Sequence, residues 1–214
     1  FCKVLYVNKI RTDGDSLIYQ DAPLVGILEQ GDLIERTAEI EALLKLYHPY
    51  YASHKENNFF VVLTQSCDLV KRSGSCNARY ISIAPVRPLR TVLKREFEEK
   101  LENVGPGKQA FAPHRVKGSF EQFLQRLINN NEAPFFYFEE RQEFGVFADM
   151  CAMLALPISL KPEHYDTLLA AKRIGITDVF QAKLGWLVGQ MYSRVGTPDF
   201  ENKKVKEKTQ EYLD

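Results

Sequence analysis

Apolar positions fall into short clusters in the first part of the chain and into longer periodic runs in the second. Residues 4–7, Val-Leu-Tyr-Val, suit a strand, and Asp13-Gly14-Asp15 marks a turn. Two further short runs, 17–19 and 24–28, lie on either side of Pro23. Over 39–47, Ile40, Leu43, Leu44 and Tyr47 recur at i, i+3, i+4 and i+7, which is one face of a helix. Pro49 closes that helix. Phe59-Phe60-Val61-Val62-Leu63 is apolar without alternation and predicts a strand buried on both faces. Residues 71–75 read as a loop. Residues 80–84 predict another strand, stopped by Pro85 and Pro88. Several short strands with one inserted helix suit a small, strongly bent barrel over 1–88.

From residue 89 the period changes. Leu89, Val92, Leu93, Phe97 and Leu101 define a helix over 89–101, broken by Gly105-Pro106-Gly107. Ser119 and Gln122 have the spacing of a capping box, opening a helix that carries Phe120, Phe123, Leu124, Leu127 and Ile128. Residues 135–138 and 143–150 read as strands of a hairpin across 139–142. Pro162 fits the first turn of a helix with Tyr165, Leu168 and Leu169. Asp178 opens the longest helix, with Leu184, Leu187 and Val188. The tail 201–214 is charged and reads as a frayed helix or linker. The expected fold is α+β: a barrel over 1–88, then a mainly helical part with a β-hairpin over 89–214, packed as one unit.

Composition narrows the class. The 214 residues are 45% hydrophobic and 12% aromatic, which excludes a disordered chain. A chain of this size buries roughly 70% of its unfolded surface and needs no metal or disulfide to fold. No apolar run approaches the ~18 residues of a membrane span, so no membrane partner is expected. Charge appears too early in the first residues for a secretory signal. The four cysteines, Cys2, Cys67, Cys76 and Cys151, form no CxxC pair. Free thiols in a reducing cytoplasm are the natural reading. No cofactor is expected, since no phosphate-binding glycine loop and no nucleophile elbow is present.

The net charge is zero, from 28 basic and 28 acidic residues, but it is unevenly spread. Residues 42–118 hold 13 Lys/Arg against 6 Asp/Glu. Within them Arg87, Arg90 and Lys94 have the spacing of a basic stripe that could meet phosphates. Glu96, Glu98, Glu99 and Glu102 follow directly, so an ordinary solvated helix face stands beside that reading. Nucleic acid is thus one candidate partner.

The most unusual local feature is Thr64-Gln65-Ser66-Cys67-Asp68-Leu69, at the end of the best strand. Cys67 could be a nucleophile, with His48 or His54 as base and Asp68 orienting it. The simpler expectation is a buried cysteine, with Asp68 bonded into a turn and Gln65 stitching the barrel. His48, His54, Cys67 and Cys76 form a set that zinc accepts, although H-x5-H and C-x8-C match no structural zinc pattern. No metal site is therefore expected. Cys151 reads as core, and His114 and His164 as surface or loop histidines.

Here the chain resembles bacterial proteins of mobile-element or phage-defence type with a (Ser/Thr)-Gln-x-Cys-Asp-Leu strand end. The order Gly31-Asp32-Leu33-Ile34, Val61-Val62-Leu63, Ile83-Ala84-Pro85 is also similar to the SH3-like barrel of MazF/PemK ribonuclease toxins. Asn58-Phe59 stands where those toxins carry Arg-Pro. The resemblance covers 24–88 and implies an SH3-like barrel. It points to a non-catalytic binding or regulatory module that contacts a partner protein or nucleic acid. A Cys67-dependent hydrolase or a MazF-like ribonuclease is the alternative.

Overall fold

The computed structural model describes residues 17–21, 26–101 and 114–193, with single positions at 202 and 210. The expected strand at 4–7, the turn at 13–15, the break at 105–107 and most of the tail lie outside these residues.

A short strand β1 (Leu33–Glu35) leads into α1 (Ala38–Tyr47). Thr37 caps that helix by accepting the Ile40 N–H. Pro49 closes α1 as expected, just after its cap His48, and itself opens a second short helix α2 (Pro49–Ser53), where its missing N–H costs nothing. Strand β2 (Phe59–Val62) and the one-turn α3 (Ser66–Leu69) follow. A two-residue hairpin, β3 (Lys71–Arg72) and β4 (Ser75–Cys76), occupies the expected loop. Then come β5 (Ile81–Pro88), α4 (Leu89–Leu101), α5 (His114–Ile128), β6 (Phe135–Phe138) and β7 (Met150–Met153). The chain continues through β8 (Ile158–Leu160), α6 (Tyr165–Ala170), β9 (Lys172–Ile174) and α7 (Asp178–Tyr192).

The main sheet runs β6-β7-β5-β2-β1-β9, and its described pairings are antiparallel. It does not close, so the strands expected to form a barrel belong instead to an open sheet. Strands from both sides of residue 88 share it. Strand β2 is its centre, and its residues alternate strictly between two cores. Phe59 and Val61 join Leu33, Val86, Phe136 and the α7 residues Leu184 and Leu187 on one face. Phe60 and Val62 join Ile40, Leu44, Ile83 and Leu168 on the other. Farther along that second side, Leu89 and Val92 of α4 pack with Phe123 and Leu127 of α5 over Cys151. The result is helix, sheet and helix in three layers.

Strand β5 corrects the expectation that Pro85 stops it. Ile81, Ser82 and Ile83 pair with β8, while Val86, Arg87 and Pro88 pair with β7. The N–H of Leu63 donates to Ser82 O, so even-numbered β5 residues bond toward β2 and odd-numbered ones toward β7 and β8. Pro85 therefore points its missing donor at the gap between β7 and β8, where the chain turns over 154–157 and no ladder partner faces it.

Three further expectations shift. Helix α5 starts at His114, so Ser119 is an interior residue and not a cap. Residues 143–150 are not a strand: a 3₁₀ turn over Gln142–Phe144 ends at Gly145, whose φ is +79°. The β6–β7 connection is therefore long, with an Arg141–Val146 bridge across its neck. At the sheet's β6 edge, the buried Asn130 side chain accepts the Tyr137 N–H at 2.6 Å and donates to the Tyr137 carbonyl at 3.3 Å. No helix among the described residues is long and apolar enough to cross a membrane.

Candidate functional site

Two regions hold the residues singled out by the sequence. The first is the end of β2. Thr64 Oγ1 accepts the Ser82 N–H at 2.7 Å, and Ser66 Oγ accepts the Gln30 N–H at 3.0 Å. Gln30 Nε2 donates to Leu63 O at 2.8 Å. Asp68 contributes its backbone carbonyl to Ala78 N–H at 2.9 Å. These bonds satisfy the Leu63 carbonyl where β2 ends and the N–H groups of Gln30, Ala78 and Ser82 in the segments around it. Cys67 itself is exposed rather than core, and its thiol lies 3.8 Å from Gln65 Oε1.

The candidate bases are engaged elsewhere. His48 Nε2 bonds Ser159 O at 2.9 Å, and His54 stacks edge-on against Tyr50 with ring centroids 4.4 Å apart. No described hydrogen bond joins either to Cys67. Cys76 packs against the core on the α1 side of the sheet. Among the described residues no group of three or more His, Cys, Asp or Glu side chains could hold a metal ion. Cys151 is core, as expected, and burial pushes its thiol up to about 12.

Beside this corner lies a pairing that local sequence does not show. Asp32 is fully buried and meets Lys172 Nζ at 2.9 Å, with the lysine side chain only 3% exposed. Asp32 Oδ2 also accepts the Glu29 N–H at 2.6 Å. Burial outweighs the Lys172 hydrogen bond and charge, so the carboxyl is raised to about 6. Gly31, at φ +86°, makes the turn into Asp32; a Cβ there would lie 2.3 Å from Ile176 Cγ1. The Gly-Asp pair was visible in the sequence, but its partner 140 positions away was not.

The second region is the α4 face. Arg87 is not on the helix: it lies near the end of β5, half-buried, and its Nε donates to Asn57 Oδ1 at 2.8 Å. Arg90 and Lys94 lie on exposed positions of α4 one turn apart, so the expected three-residue stripe is divided. Clefts flank the helix. One, of about 600 Å³, is lined by Arg90, Leu93, Asn58, Phe147 and Asp149; the other, of about 550 Å³, by Arg87, Arg95, Glu56 and Glu132 over an apolar floor.

The wall of the larger cleft is the 139–149 loop, and it is braced. Asp149 Oδ1 accepts both the Tyr137 hydroxyl at 3.0 Å and the Glu140 N–H at 2.9 Å. Desolvation, then the bond to Asp149, pushes the Tyr137 phenol well above its ordinary range, so it stays protonated as a donor. The Asp149 carbonyl accepts the Leu89 N–H at 2.9 Å, fastening the loop to α4. Val146 is buried, whereas its neighbour Phe147 is 74% exposed. Sequence reasoning missed Phe147 and Asp149 by reading them as strand; Gly145 was the available sign of a turn.

No family model matches this sequence, and no curated protein matches it either.

Proposed function

We propose that this protein is a non-catalytic binding or regulatory module that meets a partner protein or nucleic acid through the α4 face. Its setting would be the cytoplasm of a bacterium, in a mobile-element or defence system of the kind its strand-end motif resembles. One observation carries the reading. Arg90 makes no hydrogen bond or ion pair with any described residue, and it lines the 600 Å³ cleft. A cation held unpaired beside an apolar cavity is available to a ligand. The Cys67-hydrolase and MazF-like ribonuclease readings have less support: among the described residues no hydrogen bond joins a base to the thiol, and the sheet is open rather than closed into a barrel. The described cysteines are unpaired thiols, which supports a reducing compartment.

The test places a photocrosslinking residue at position 94 and, as a control, at position 121 on α5. In cells, a discrete protein or nucleic-acid adduct is expected from position 94 only and is lost with Arg90→Glu. Equal adducts from both positions would overturn the assignment of the face. Cys67 should alkylate with iodoacetamide no faster than free cysteine. Fast alkylation, with activity lost in Cys67→Ser at unchanged Tm, would return the protein to the enzymes.

A further inference from the structure

We infer that the larger cleft is a stacking site for one unpaired base of single-stranded nucleic acid, a reading that rests on the α4 face being the binding surface. Three features converge there. Phe147 presents an exposed ring on a loop whose two ends are fastened, by the buried Val146 and by the Asp149 bonds to Tyr137, Glu140 and Leu89. An aromatic ring held this way loses little entropy when a base stacks on it. Arg90 lines the same cleft with no hydrogen bond or ion pair to any described residue, and Lys94 continues the exposed side of α4 one turn on. These supply the cation that a backbone phosphate requires.

The third feature is selective. Asp149 spends Oδ1 on two protein donors, and no described bond engages Oδ2. A carboxylate oxygen accepts only from a donor, so it favours a base with an exocyclic amino group. Adenine, cytosine and guanine carry one; thymine and uracil offer only an N3–H between two carbonyl oxygens, which repel a carboxylate. Asn58, which also lines the cleft, has a side-chain amide able both to donate and to accept.

An acidic peptide fits less well. It would bring its carboxylates toward Asp149, and one unpaired arginine offers little to a run of acidic residues. Duplex nucleic acid fits less well too, because its bases are already stacked and a pocket for one base gives it nothing. Zero net charge is consistent with a local site that depends on stacking as well as on phosphate.

The experiment is fluorescence anisotropy with labelled twelve-nucleotide dA, dC and dT strands at two salt concentrations. Wild type should bind dA and dC at least ten-fold more tightly than dT, more weakly at the higher salt. Phe147→Ala should weaken dA and dC binding about ten-fold, the range of a lost base stack. Arg90→Ala should weaken all strands and flatten the salt response. Asp149→Asn keeps the acceptor that braces the loop and should erase the preference over dT. Melting curves check that each variant folds.

Salt-dependent binding that Phe147→Ala and Asp149→Asn leave untouched, but Arg95→Ala abolishes, would overturn the cleft and keep the α4 surface. Absence of strand binding, with an acidic peptide bound instead, would overturn the nucleic-acid assignment. The crosslink from position 94 would then still report whether the face binds.

Discussion

The β2 end and the α4 face carry their polar residues to opposite ends. At the first, Thr64, Ser66, Gln30 and Asp32 are each committed to a partner inside the protein. At the second, Arg90 has no partner among the described residues and Phe147 lies open to solvent. The more distinctive sequence belongs to the first region and the more available chemistry to the second. A cluster of polar residues after a buried strand is needed wherever a strand ends inside a fold. Availability, by contrast, depends on what neighbouring elements leave unpaired.

That contrast breaks most sharply at the buried corner. Gly31→Ala forces a side chain into a left-handed φ and against Ile176, and should cost about 3 kcal/mol or more, read by denaturant unfolding. Lys172→Met leaves Asp32 buried without its cation and should cost roughly 3–5 kcal/mol at neutral pH. The comparison is sharpened by pH. Because Asp32 is raised from 3.8 to about 6, the folded state holds its proton more tightly than the unfolded one. Its contribution is complete below about pH 4 and is lost as pH rises through about 6. Relative to Asp32→Asn, the wild type should therefore fall in stability by of order 2–3 kcal/mol across that window. Stability curves at several pH values check this; a difference that grows as pH falls would refute it. The smallest effects belong to the exposed residues. Arg90→Ala and Cys67→Ser should each shift stability by no more than about 0.5 kcal/mol. For Arg90→Ala the loss appears only in binding.

Much of the fold was legible where a single physical demand dominates. Strand β2 is apolar at every position because both its faces are covered, and α4 was bounded correctly because Leu89, Val92 and Leu93 repeat at helical spacing. The failures have physical causes. Pro85 read as a strand end because its missing N–H is harmful in a ladder, and only the break between β7 and β8 makes it harmless. The barrel was inferred from strands near in sequence, yet β1 completes its pairing with β9 and β5 with β7 and β8, all beyond residue 149. Of the candidate site, Arg90 was readable from its charge. Phe147 was not, because nothing local marks an aromatic ring as the one left uncovered.

One side chain governs how this protein keeps company with itself. By returning its amide to both backbone groups of Tyr137, Asn130 occupies the hydrogen bonds that a second extended chain would use to join the sheet at β6. The molecule gives fibre growth no template there, and a partner arriving as a strand finds no docking ladder. Loss of that amide would expose the template.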